Sequence, residues 1–350
     1  MLPTRHIVIA DQQLAALNED VWRDQFVNAF IINKGIKIPI KVRYRGGHTR
    51  EYPKKSYEII KGDKTYHLNA EYDDPSLIRN ALSFRFFQRI GVASPQTKHC
   101  HLKLNGRSLG VYLEIEAVDK NFFRRRKINA QSLFYAANND ANFELINPDT
   151  KKRKQSLLEG YQLVLGQSKD KRELQSFISQ IHIRTKKPLY QFMQSQLDID
   201  NYLRWLAGAV CTGNFDGFDQ NYAIYRHKSS KLFRIIPWDY EGTWGRNCYG
   251  KACGSDLVRI KGYNRLTSKL MAFKSVRQRY KQLLTSILRT SFTLKQLNPV
   301  IDQMHQSIVS YVQHDSDRKW SYSEFNNEPK FIREYVKERR EIILHELTKL

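Results

Sequence analysis

Four acids and one amide crowd the stretch from Gly213 to Arg246: Asp216, Asp219, Asp239 and Glu241, with Asn221 among them. Carboxylate and amide oxygens are hard donors of the kind that hold Mg²⁺, and a carboxylate is also a competent general base toward a hydroxyl. Together they suit phosphoryl transfer. Asp216 is the candidate base for the proton of an acceptor hydroxyl, while Asn221, Asp239 and Glu241 are the candidate metal ligands. Asp and Asn are also common turn formers, so the elements around them must decide whether they meet.

Those elements read as a hairpin. Asn221 to Arg226 and Leu232 to Pro237 are β-like runs rich in Tyr, Phe and Ile, and Lys228-Ser229-Ser230-Lys231 is a turn between them. Such a hairpin carries both acidic loops to one end. A helix over Ile199 to Thr212 leads into the first loop. The D-x-x-x-x-N spacing of Asp216 and Asn221 is that of protein kinase catalytic loops, and Asp239 follows a hairpin later, where those enzymes carry the Asp of D-F-G.

Upstream, residues 5 to 9 and Asn28 to Arg45 read as strands, and after Gly46-Gly47 comes another, Ser56 to Ile60. Counting by twos from Tyr57 and Ile59 puts Lys55 on their face, a candidate to reach nucleotide phosphates, and turns Lys54 away. A helix opens at Asp74-Pro75-Ser76 and runs to about Ile90. Strands His99 to Leu104 and Gly110 to Glu116 flank an Asn105-Gly106 turn and lead into a basic helix, Lys120 to Lys127. Glu116 to Val118 is the expected joint between lobes, with backbone groups free for adenine. Residues 149 to 173 read as a mobile polar insertion. Helical periodicity follows at 174–181, 189–196, 266–272, 276–288, 294–312 and 329–347. The expected class is α+β: a small sheet-rich lobe with one helix over 1–118, then a larger, mostly helical lobe over 119–350.

The 350 residues include 41% hydrophobic and 12% aromatic side chains, which argues against disorder, and the net charge of +23 favours anionic partners without naming one. The first residues hold no signal-peptide core, and no apolar run approaches the roughly 20 residues that span a bilayer. Four cysteines are too few for a disulfide framework and read as a reducing compartment; Cys248 and Cys253 lack a second pair at zinc spacing.

Five long stretches then resemble one family. RYRGGHTREYPKKSYEI at 43–59, HLNAEYDDPSLIRNALSFRFF at 67–87, LNGRSLGVYLEIEAVD at 104–119, DIDNYLRWLAGAVCTGNFDGFDQNYAIYR at 198–226 and IIPWDYEGTWGR at 235–246 are similar to the spore coat protein H (CotH) kinase family. The resemblance implies an atypical protein-kinase fold and transfer of the ATP γ-phosphate to Ser or Thr of serine-rich spore coat proteins. It further implies Mg²⁺ (or Mn²⁺) as cofactor and a part in assembling the outer coat. The expected location is the mother-cell cytoplasm and then the coat, with no membrane and no specific nucleic acid as partner. By the same resemblance Asp216 is the catalytic Asp, Asp239 the metal-binding Asp, and Asn221 stands at the kinase Asn position.

The chain departs from ordinary kinases. It has Gly46-Gly47 but no G-x-G-x-x-G, leaving phosphate cover to Arg45, Arg50 and Lys55, and no His-Arg precedes Asp216. The helix after Pro75 offers Arg79, a further nucleotide-binding candidate, in place of a Glu; Glu71 lies just before it. Glu241 stands where the family pattern W-D-x-D carries Asp. A pseudokinase scaffold of the coat is the competing reading. A metal-dependent nuclease, drawn from charge and acids alone, is a third.

Overall fold

The computed structural model describes residues 1–350. The strands are β1 (Thr4–Val8), β2 (Val27–Asn33), β3 (Ile36–Arg45), β4 (Ser56–Lys61), β5 (Lys64–Asn69), β6 (Thr97–Leu104), β7 (Arg107–Glu116), β8 (Ala130–Ala136), β9 (Tyr161–Leu165), β10 (Tyr222–His227) and β11 (Phe233–Pro237). The helices are α1 (Asp11–Glu19), α2 (Arg79–Arg89), α3 (Lys120–Arg125), α4 (Ser168–Ile183), α5 (Lys186–Gln196), α6 (Ile199–Thr212), α7 (Arg265–Met271), α8 (Lys274–Thr290), α9 (Leu294–Val312) and α10 (Tyr322–Leu347). None is long and apolar enough to cross a membrane, and all four cysteines are free thiols.

The chain divides into two units. The first is Met1–Ala81, Pro95–Ala117 and Pro299–Lys330; the second is Leu82–Ser94, Val118–Asn298 and Phe331–Leu350. Residues 299–330, expected among the C-terminal helices, therefore cluster with the N-terminal strands.

In the first unit seven strands close into a barrel in the order β1-β2-β3-β4-β5-β7-β6, with β1 and β6 parallel at the seam. Alternation builds it: Ile40, Val42 and Tyr44 of β3 and Tyr57 and Ile59 of β4 point into a core with Leu68, Cys100 and Tyr112. The expected sheet-rich lobe with one helix is corrected in its helix count, and its strands form a closed sheet. Closure removes free sheet edges, and α1 is a further helix. The Asn105-Gly106 turn forms as expected, both residues in left-handed backbone at φ 48° and 85°.

The second unit holds the antiparallel sheet β11-β10-β8-β9 among helices. Residues 149–173 are not a structureless insertion, because β9 lies within them and pairs with β8, and α4 opens at Ser168 where the Asp170 carboxylate accepts the Gln167 N–H. Two helix starts also move. α2 begins at Arg79 rather than near Pro75, since Asp74 accepts the N–H groups of Ser76 and Arg79 and holds the intervening residues in a turn. α10 begins at Tyr322, ahead of Pro329, because Ser321 and Glu324 form a reciprocal capping box.

Candidate active site

The second unit builds the acidic loops from α6 outward. Ten of the fourteen residues of α6 are buried, and it stops at Gly213, whose φ of 73° satisfies the helix end. A Cβ there would sit 2.4 Å from the Tyr335 hydroxyl, so glycine is required twice over. Asn214 follows, buried. Its side-chain oxygen accepts the Gly217 N–H at 2.9 Å, and its amide donates a long bond, 3.5 Å, to the Asp239 carbonyl. One side chain, unnoticed in the sequence, therefore links the Asp216 turn to the Asp239 loop.

The β10–β11 hairpin does the rest. Tyr222 pairs with Pro237, and one step beyond the ladder the Trp238 N–H donates to the Asn221 carbonyl at 3.1 Å. Asn221 and Asp239 thus stand at the same end of the hairpin, both in left-handed backbone at φ 59° and 54°. Asn and Asp are the non-glycine residues that tolerate this conformation best.

Trp238 stacks on Tyr135 with centroids 5.5 Å apart, and the Tyr135 hydroxyl donates to the Val118 carbonyl at 2.8 Å. Tyr240 is buried against Phe84 and Phe87 of α2, and the Trp244 indole donates to Ser83. Alternation along this anchored loop leaves Asp239 exposed and Glu241 half-buried, on either side of the inward Tyr240.

Asp219 sits between Asp216 and Asn221. Burial, reinforced by the charges of Glu144 and Asp216 and opposed by Lys154, pushes its carboxyl up to about 6.

No three His, Cys, Asp or Glu side chains converge closely enough to hold a metal ion by themselves. The oxygen donors of Asn221 and Asp239 fit a hard divalent cation that completes its shell with phosphate oxygens and water, a donor set Mg²⁺ accepts readily. Glu241 is near in sequence and one methylene longer than Asp.

The nucleotide-directed candidates lie differently. In the first unit Lys55 donates to the Arg50 carbonyl and remains partly exposed. Lys54, expected to point away, is instead the buried lysine, with its side chain 2% exposed. Its ammonium donates to Asp315 at 2.7 Å and to the Val111 carbonyl at 2.9 Å. Parity fails because residues 52–55 precede the strand and do not follow its pleat.

Arg79 is fully buried between Asp74, at 2.5 Å, and Glu328, at 2.6 Å. Its guanidinium is committed to two carboxylates, which corrects its reading as a phosphate contact. Nearby, Asn80 donates to both oxygens of Glu71.

The joint is also more engaged than expected. The Glu116 N–H bonds the Gln96 carbonyl, the Glu116 carboxylate accepts the Gln96 N–H, and the Val118 carbonyl is taken by Tyr135. Among the phosphate-cover candidates, Arg50 is held by Asp24 and Arg45 by Asn69.

The family model described as CotH kinase protein matches residues 42–343. Inner spore coat protein H of Bacillus subtilis (strain 168) is 39% identical over 354 residues, covering 99% of this chain and 98% of that protein. Inner spore coat protein H-like protein of the same organism is 26% identical over 305 residues, covering 85% and 87%. Among solved structures, the Helicobacter pylori proinflammatory kinase CtkA aligns at 11% identity and a TM-score of 0.37, covering 88% of this chain and 93% of that one. Shewanella oneidensis HipA, solved with HipB and operator DNA, aligns at 12% and 0.41, covering 98% and 73%.

Proposed function

The chain belongs to the CotH kinase protein family, and from that premise we propose that it is an atypical protein kinase. It moves the γ-phosphate of ATP onto serine or threonine of serine-rich spore coat proteins. The observation that carries this reading is the placement of Asn221 and Asp239 across the open end of one hairpin, with Asp216 on the turn that Asn214 links to the Asp239 carbonyl.

In this reading Asn221 and Asp239 would hold Mg²⁺, or Mn²⁺, with Glu241 as a further candidate ligand. The bound ion supplies charge neutralisation on the phosphates. Asp216 accepts the proton of the acceptor hydroxyl as that oxygen bonds to the γ-phosphorus. The bond from the γ-phosphorus to the bridging oxygen breaks, and ADP leaves with its electron pair. Lys55, partly exposed, remains the proposed phosphate-binding lysine.

The Bacillus subtilis relatives carry the inner spore coat in their names. We place this chain's action in the mother-cell cytoplasm and then the coat, where modified substrates enter outer-layer assembly. The test is incubation with γ-labelled ATP, Mg²⁺ and a serine-rich coat protein. Label on Ser or Thr is expected. An unlabelled acceptor, with coat assembly unchanged on replacing Asp216, would favour the scaffold reading.

A further inference from the structure

The outer face of the barrel breaks the alternation that builds its core. In β2 the inward residues Val27, Ala29 and Ile31 are buried, so the outward ones should be polar, as Asn28 is. Phe30 and Ile32 are not. The register sets Phe30 beside Val8 of β1 on one side and Pro39 of β3 on the other, and an apolar row therefore crosses three strands. Single exposed apolar side chains are ordinary, but a row of neighbours is not. Phe30 is 43% exposed and Pro39 is exposed, so nothing else in the chain covers the centre of the row.

Cations flank it. Two residues to either side of Pro39, and so on the same face, stand the exposed Lys37, paired with Ile32, and the exposed Lys41, paired with Asn28 and with Ile60 of β4. None of the positions these pairings join carries a carboxylate. The next acid along the face, Glu58, is held by Arg43 at 2.8 Å. An apolar centre with a charged rim is the anatomy of a protein interface, and here the rim has one sign.

The fold narrows what can dock. Barrel closure leaves no free backbone edge for an added strand, so attachment must run through side chains. A second copy is a poor occupant, because a two-fold contact through this row sets Lys37 and Lys41 against their own counterparts in a chain of net charge +23. A bilayer fits no better, since the row lies within a sheet face and offers no apolar helix face to sink among lipid headgroups.

We propose that the row of Val8, Phe30 and Pro39 is a docking surface for an acidic segment of a partner protein. The segment seats an aromatic or aliphatic side chain on Phe30 and Pro39 and sets carboxylates against Lys37 and Lys41. The surface uses none of the residues assigned to phosphate transfer, and it stands whether or not the kinase reading does.

The experiment titrates the full chain into a short fluorescent peptide with a central phenylalanine flanked by glutamates, followed by anisotropy. Two further peptides carry glutamine for glutamate or alanine for phenylalanine. The parent peptide is expected to bind about tenfold more tightly than either. Phe30→Thr, which keeps a strand-favouring residue at an exposed position, should weaken the parent about fivefold or more. Lys37→Glu with Lys41→Glu should turn the preference toward a lysine peptide. Lys274→Glu with Lys281→Glu, two exposed positions of α8, changes the net charge equally and should leave binding within about twofold. Unchanged melting of each variant shows that the fold is kept.

Equal binding of the three peptides would overturn the proposal. So would a loss as large in the α8 variant, which would leave only the field of the whole chain. Phosphatidylglycerol vesicles bound in preference to the peptide would overturn it in favour of a membrane surface, and a dimer that Phe30→Thr disperses in sedimentation would overturn it in favour of a second copy.

Discussion

Asp239→Asn will lower phosphate transfer by roughly three orders of magnitude, the several kcal/mol that a metal ion contributes at a phosphoryl centre. The fold should survive. Asp239 is exposed, and asparagine accepts the same left-handed backbone at φ 54°. Alanine would be a poorer probe, since it adds strain at this φ to the loss of the carboxylate.

Asp216→Asn removes the proposed base and should cost about 10²- to 10⁴-fold in kcat, with a smaller effect on ATP affinity. Asp216 follows Phe215 at the start of a single short turn, whose hold on Asn214 runs through the Gly217 N–H and not through the Asp216 carboxylate. A circular dichroism melt within a few degrees of wild type would separate lost chemistry from lost structure. Either variant retaining near-wild-type transfer would remove that residue from its assigned role.

The second large effect is on stability. Lys54→Met is expected to destabilise the protein by about 3–5 kcal/mol, because it strands the Asp315 carboxylate in a site built for an ion pair. Asp315 is 1% exposed there and accepts the Val111 N–H at 3.0 Å. Gly110 makes the room: its φ is 80°, and a Cβ would lie 2.1 Å from the Asp315 carboxylate carbon.

Removing both charges, as Lys54→Met with Asp315→Asn, should recover a large part of the loss, since the asparagine oxygen still accepts from Val111 and no buried charge is left. Lys55→Met should cost no more than about 0.5 kcal/mol. Urea unfolding midpoints at constant slope would measure all three. If Lys54→Met and Lys55→Met proved equally mild, the buried pair would not be holding residues 299–330 to the barrel.

The contrast between these lysines marks the reach of the sequence. The hairpin that carries Asn221 and Asp239 was legible because every signal for it is local: β-rich runs, a polar turn, and acids on both flanks. The end of α6 and the Asn105-Gly106 turn were legible for the same reason. Lys54 escapes the period-two count because its partner lies 261 residues away and it stands outside the strand.

Arg79 shows the same limit. An arginine near a helix start invites a phosphate, and only the fold brings Glu328 to its second edge. Barrel closure depends on pairing β1 with β6, a contact that no local pattern announces. Asn214 could have been found, since an Asn just after a helix and ahead of an acidic turn is a recognisable capping position. Its reach to the Asp239 carbonyl could not.

The most direct test is calorimetric titration of ATP into the wild-type chain and into Asp239→Asn, each with and without MgCl₂. Binding in the wild type that requires Mg²⁺, and that weakens at least tenfold in the variant, is the predicted result. Nucleotide binding that ignores both the ion and the substitution, or no binding under any condition, would contradict the assignment of Asn221 and Asp239 as the metal-holding pair.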